Sequence, residues 1–574
     1  MIPKTPRPVC AGLALSLCLL LEPAFAQALP DAGTLSRESE RSLQAPRSAE
    51  PLAPAIVVRP LTEDVKALRV RVQGIAIVGA SLLPETELQA LVQELVGQSL
   101  TLAELEQAAQ RIAEFYRARG WYARVYLPEQ DLTDGRLRIQ VLEGHFGKSQ
   151  LNAPAEQRAD GAYVQQLVSH GLQAGEPLSA AALERGLLLA NDLPGIQAQG
   201  LLQAGQQRGQ SDLLVSVHDQ AFVTGDIGLN NHGVRATGRA QAVGGLALNN
   251  LSGQGDQLAL RLLAAEGVRS ALARYSLPLG YDGLRLALHG SVLGYELGGS
   301  YRPLDAEGHA RTAGLTLSYP LIRQSQRNLS FSAGYENRRY RDDMLDASLR
   351  RHDINALTLG LTGDLSDAFG GVSWGSAQFI QGVLAIADVA GDRAQDAAGP
   401  HSQGSYSKLA LQLGRLQALG WLGSGWQLQA GLSAQIASGN LASSERMTLG
   451  GPQQVRSYPV NEAVGDAGVL LKLELQRELG HGWQAVAFYD SGRIRQHHHP
   501  WTGWDGGSSQ PNSYRLSGMG LGLNWRGTGS LRGWQFAASL ATPVGSNPGS
   551  AQGRNGDGSR ASSSRAWFSL NRIF

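Results

Sequence analysis

The chain has 574 residues, room for several domains, and its 50 basic and 49 acidic side chains leave a formal net charge of +1. That balance excludes a polyelectrolyte surface, so nucleic acid is not expected as a partner. With two cysteines, 71 glycines and 6% aromatics, the composition excludes a disulfide framework and suits strands joined by short turns.

At the start, Lys4 and Arg7 precede the apolar run AGLALSLCLLL, and Ala24-Phe25-Ala26 stands before Gln27. This is the pattern of a secretory signal peptide over 1–26, because the apolar run is too short for a spanning helix of about 20 residues. Cys10 and Cys18 both fall inside it, so the exported chain should hold no thiolate metal site and no cysteine nucleophile. Residues 27–66 are polar and proline-punctuated. SRESERSLQ can form a short helix there, and PLAPAIVVRP reads as an extended linker.

A compact α/β domain is expected over 67–144, in the order β-α-α-β-β. RVQGIAIVGA has strand character, and Pro84 opens a helix with Leu88, Leu91, Val92 and Leu95 on one face. Thr101 with Glu104 forms a capping box for a second helix striped by Leu105, Ala109, Ile112 and Tyr116 until Gly120. ARVYLPEQ and RLRIQVLEG then form two strands around Thr133-Asp134-Gly135. A second copy is expected over 145–219, because Leu178-Ser179, Leu183 and Glu184 repeat the spacing of Leu100-Thr101, Leu105 and Glu106. An open strand edge in such a domain could bind an unfolded chain by β-augmentation, with Trp121, Tyr122 and Tyr126 as candidate contacts. The same aromatics could instead pack the small core.

From 220 to 574 helical periodicity gives way to alternation. In WQLQAGLSAQI, Trp426, Leu428, Ala430, Leu432, Ala434 and Ile436 share one face; in VLLKLELQ, Lys472, Glu474 and Gln476 oppose the leucines. About sixteen such segments can be delimited, each near the roughly 9 to 11 residues with which a tilted strand crosses a bilayer. Long connections at 437–465 and 495–512 alternate with tight turns such as Glu478 to Gly482, as expected of outer loops and periplasmic turns. Phe488 and Asp490 share a face with Gln484, the lumen side if Trp483 and Ala485 meet lipid. Gly518, Gly520 and Gly522 share a face of the fourteenth strand, a spacing that leaves room for an inserted loop. Phe574 ends an apolar strand, with Phe568 and Leu570 on its face.

Several stretches together are similar to the transporters of two-partner secretion, the TpsB-type haemolysin activation/secretion family. They are NDLPGI at 191, DIGLNNHGVRATGR at 226, NNLSGQGDQL at 249, YSLPLGYDG at 275, GGPQQVRSYP at 450 and FYDSG at 488. The resemblance implies two α+β periplasmic POTRA domains followed by an all-β transmembrane barrel of 16 antiparallel strands in the bacterial outer membrane. It implies that the 437–465 loop folds into the lumen, bringing Val455, Arg456, Ser457 and Tyr458 to a wall formed by Phe488, Asp490 and Gly492. Ser457 stands where the family pattern has glycine. SRESERSLQ would be a helix that plugs the resting pore, and Phe574 would be the signal read by the barrel assembly machinery.

The implied partner is a large secreted exoprotein (a haemolysin, adhesin, toxin or haem-binding protein), bound unfolded in the periplasm and passed, with or without activation, through a monomeric pore set in outer-membrane lipid. No cofactor, metal or enzymatic activity is expected, and the energy would come from the cargo folding outside. Competing readings are a barrel assembly factor, a passive porin and a lipid hydrolase. Gly371-Val372-Ser373-Trp374-Gly375 fits a nucleophile elbow, but strand-like residues follow it where a helix is needed. His497, His498 and His499 read as a solvated loop tip.

Overall fold

The computed structural model describes residues 29–43 and 69–574, apart from 131–133, 155, 208, 388, 390 and 509. The expected signal peptide at 1–26, most of the 27–66 leader and Thr133 of the first domain's turn lie outside the described residues.

Two small α/β domains come first. In the first, Gly74–Val78 pairs parallel with Arg136–Glu143, which pairs antiparallel with Ala123–Tyr126. The helix Leu102–Ala118 starts at a complete Thr101/Glu104 capping box and buries Leu105, Ala109, Ile112 and Tyr116 against that sheet. The shorter helix Glu85–Ala90 ends before Leu91, and a 3-10 turn at Gln93–Leu95 then buries Leu95. Tyr116 donates to the Glu143 carboxylate (2.8 Å), which also accepts from the amides of Ser81 and Leu82. Burial pushes Glu143 up, but these bonds outweigh it and hold the carboxyl below its ordinary range. The second domain repeats the order, with strand His145–Asn152, helices Gly161–Ser169 and Ala180–Asn191, and strands Ile196–Ala204 and Gln210–Asp219. Ser179 caps its second helix by accepting from Ala182 N.

Sixteen antiparallel strands, from Val223–Asn230 to Arg565–Ile573, then close into a barrel in which sequence neighbours pair and the last strand pairs with the first. Closure satisfies the ladder without an open edge, the condition for spanning lipid. Alternation sorts the faces: on the eighth strand, Ala347–Asp367, Leu357, Leu359, Leu361 and Leu365 are exposed outward, whereas Ile354 and Ala356 are buried inward. Phe568, Leu570 and Phe574 also point out. Arg572 bends its guanidinium to Arg532 O and over the Trp534 ring, keeping its charge at the rim.

The second α/β domain docks on the short-turn end. Arg323 forks onto Asp192 (2.7 Å to each oxygen), Arg185 meets Asp282 (3.1 Å), and Tyr163 donates to Gly280 O (2.9 Å). Asp192 belongs to the NDLPGI stretch and Asp282 to YSLPLGYDG, so each of these two stretches supplies one acid to the junction, Asp192 to Arg323 and Asp282 to Arg185.

Candidate functional site

The lumen is occupied by two inserted pieces. One is the helix Ala32–Ser42, N-capped by Asp31, which accepts from Thr34 N. Its residues Ala32 and Leu35 pack with inward Tyr295, Ala310 and Tyr340. Ala32 N donates to Asp342 (2.7 Å), and Arg350 pairs with Asp31 (2.5 Å), which fixes the start of the helix to the seventh and eighth strands, Arg327–Met344 and Ala347–Asp367.

The other piece is the loop between the eleventh strand, Trp426–Ala437, and the twelfth, Ala467–Gly480. Met447–Thr448 pairs with Val464–Gly465, so the loop enters as a hairpin. Gly450 and Gly451 turn the chain there: a side chain on Gly450 would strike Pro459 O, and Gly451 has φ +127. Val455 and Tyr458 are fully buried with Leu449, Leu470, Ile494 and Leu516. These apolar contacts aim the first of the two residues between them.

That residue is Arg456. Its Nε and Nη2 donate to the two oxygens of Asp490 (2.8 and 2.7 Å), its Nη1 meets Glu474 Oε1 (2.8 Å), and its own amide also donates to Asp490 (3.2 Å). The guanidinium stacks 3.5 Å from the centre of the Phe488 ring. Trp567, on the last strand, donates to Arg456 O (2.7 Å). Sheet register assembles the wall, because Lys472 lies opposite Asp490 and Glu474 opposite Phe488, while Phe488 in turn lies opposite Gly520. Lys472 donates to Gln453 O, so two cations and two anions meet in a site where Asp490 is 0% exposed. A fork of this kind is geometrically selective, and breaking it strands a buried charge.

The anticipated glycines divide by role. The Oγ of Ser457 fills the space above Gly518, and Leu449 fills the space above Gly492, 2.6 Å from where a Cβ would stand. Gly520 makes room for the Phe488 ring, not for the loop, and Gly522 faces only the neighbouring strands. Trp121 and Tyr122 sit at the junction of the two α/β domains, where Tyr122 N donates to Leu178 O and Trp121 bridges to Ser179. Tyr126 alone of the three lies on the open edge strand, with Arg124 against its ring.

Three anchors of the loop were not anticipated. Glu445 is 1% exposed and pairs with Arg338 and Lys408 (2.5 and 2.9 Å). Glu462 accepts from Asn547 (2.6 Å) and Gly556 N (2.8 Å) of the outer connection before the last strand, and burial pushes it up to about 7. Helix and loop are also joined, because Arg37 donates to Ser443 O and Arg446 O and Arg41 to Thr448 Oγ1 (2.8 Å). Glu474 was legible as an inward carboxylate one strand from Asp490; the other contacts depend on where the loop runs, which alternation does not encode.

The family model "Haemolysin secretion/activation protein ShlB/FhaC/HecB" matches residues 209–525, more than half of the chain. The chain belongs to this haemolysin secretion/activation family. A second model, "POTRA domain, ShlB-type", matches residues 70–144. The chain is 27% identical over 559 residues to the heme/hemopexin transporter protein HuxB of Haemophilus influenzae (strain 86-028NP), covering 94% of this chain and 96% of that protein. It is 25% identical over 421 residues to the outer membrane transporter CdiB of Dickeya dadantii (strain 3937), covering 71% of each. The solved structure of CdiB from Escherichia coli shares the fold, with a TM-score of 0.66 and 21% identity over 96% of this chain and all of that one.

As a member of the ShlB/FhaC/HecB family the chain is an outer-membrane transporter of the two-partner secretion type, with its POTRA domains in the periplasm. The family's members are transporters. Gly371–Gly375 opens a continuous barrel strand, Gly371–Ile386, in which Ser373 accepts from Arg415, so the strand-to-helix turn of a nucleophile elbow is not formed. Of the three histidines, His499 is exposed, as expected of a solvated tip, whereas His497 packs edge-on between Trp501 and Trp504, and burial beside Arg446 holds it at about 3.

Proposed function

We propose that this transporter binds an unfolded exoprotein on its periplasmic POTRA domains and passes it outward through the barrel, with the Ala32–Ser42 helix and the 437–465 loop as the occupants that cargo must displace. The observation that carries this reading is the Arg456 fork on Asp490 and Glu474. It fixes the hairpin to the barrel wall by charged contacts that another chain's charges and amides can replace. The docked second domain supports a hand-over, because Arg323, Arg185 and Tyr163 hold it beside the mouth. The open edge Ala123–Tyr126 offers backbone groups for β-augmentation.

Deletion of residues 69–219 tests recruitment. The barrel should still reach the outer membrane while a co-expressed exoprotein partner accumulates in the periplasm. Normal secretion by the truncated barrel would rule out recruitment by the POTRA domains.

A further inference from the structure

We infer that the outer wall of the fourth to eighth barrel strands (Val268–Leu279, Leu284–Glu296, Glu307–Arg323, Arg327–Met344 and Ala347–Asp367) carries a binding site for the phosphate-bearing headgroup of a glycolipid in the outward leaflet. This rests on the outer-membrane placement of the barrel and not on the export reading.

The register defines the surface row by row. Leu315, Tyr335 and Leu357 lie opposite one another on the sixth, seventh and eighth strands and face outward. They are the upper edge of an apolar band that begins at Leu329 and Leu365. Tyr335 donates to Asn355 (2.9 Å), as does Asn337, which marks the change from hydrocarbon to interface. The next outward row contains Arg311 opposite Arg339, and Arg339 opposite Asp353. The row beyond it contains Arg269, Gly294, His309, Arg341 and Arg351 in register across five strands. A further row turns acidic, with Glu296, Glu307 and Asp343, so at this end of the strands the positive charge is confined to two rows.

The turn at the far end of these strands, Arg323 to Arg327, meets the second POTRA domain, so the arginines stand at the outer side of the membrane. Like charges directly opposite in a ladder repel. Here that holds for Arg311 and Arg339 and again for Arg341 and Arg351. Against five arginines the two rows hold one carboxylate, Asp353, which is 3.4 Å from Arg339. Among the described residues Arg269, Arg311 and Arg341 form no ion pair or side-chain hydrogen bond. Planar guanidinium forks beside one another, just above an apolar band, match a phosphate whose acyl chains lie along that band.

The test uses the full chain in detergent micelles with three probes: purified lipopolysaccharide, the same glycolipid stripped of phosphate, and inorganic phosphate. Binding of the intact glycolipid should weaken about fivefold for each of Arg311→Gln, Arg339→Gln and Arg341→Gln, and not for Arg138→Gln in the first POTRA domain. The stripped glycolipid should bind wild type no better than the triple variant does, and inorganic phosphate should not displace the intact form. Heat-modifiable gel mobility confirms that each variant barrel is folded. Undiminished glycolipid binding by the folded triple variant would overturn the site. Equal binding of the stripped form, or displacement by inorganic phosphate, would overturn its assignment to a lipid phosphate.

Discussion

The Oγ of Ser457 occupies the space that a Cβ on Gly518 would require, so the tip of the inserted loop and the fourteenth strand, Ser513–Arg526, are fitted to within a methyl group. Adding volume there should expel the loop at an overpacking cost of about 1 to 3 kcal/mol. Gly518→Val is therefore expected to raise single-channel conductance in planar bilayers, and Ser457→Gly in the same chain to bring it part of the way back. A Gly518→Val barrel with wild-type conductance would show that the loop does not need this contact.

Gly33 of the inserted helix is so close to the loop that a Cβ there would lie 2.9 Å from Ser443 Oγ. A Gly33→Cys, Ser443→Cys pair should cross-link under mild oxidation. Secretion by the oxidised transporter is expected to stop and to resume on reduction. Equal secretion in both states would mean that helix and loop need not separate.

Glu462 supplies a pH dependence whose sign follows from burial. Its pKa in the folded loop is raised to about 7, so the protonated form is favoured there relative to an unfolded or released loop. The associated stability is complete below the ordinary carboxylate value and is lost as pH rises through about 7. Hydrogen exchange of Gly450 and Gly556, corrected for intrinsic rates, should therefore show less protection at pH 8 than at pH 5. Glu462→Gln should abolish that difference, and an unchanged difference in the variant would assign it to another group.

Asp490 and Glu474 both hold Arg456, but unequally. Asp490 takes three donors and is 0% exposed, whereas Glu474 takes one arm of the guanidinium. Removing one partner of a buried pair costs about 3 to 5 kcal/mol, and losing a single charged hydrogen bond about 1.5 to 3. Asp490→Asn is thus expected to deprotect the 451–458 amides more than Glu474→Gln does. The opposite order would make Glu474 the main anchor.

The elements were legible because each obeys one period. The capped helix at 102–118 shows its 3.6-residue stripe, and the eighth strand shows its outward leucines two by two. Tertiary choices were less so. Gly520 looked like clearance for the loop, yet its cross-strand partner is Phe488, whose ring needs the space. Trp121 and Tyr122 looked like edge aromatics, yet the second domain's Leu178 and Ser179 bond to them. Glu445 and Glu462 sit in a loop with no period, so only the path of the chain shows what they touch.

The most direct test of the Arg456 fork on Asp490 as the hold on the inserted loop is the amount of exoprotein in the medium from cells carrying Arg456→Ala or Asp490→Ala, normalised to folded barrel in the outer membrane. Secretion should fall in both variants, and the double variant should be no worse than the more affected single one, since either change breaks the same contact. Wild-type secretion from both folded single variants would contradict the account.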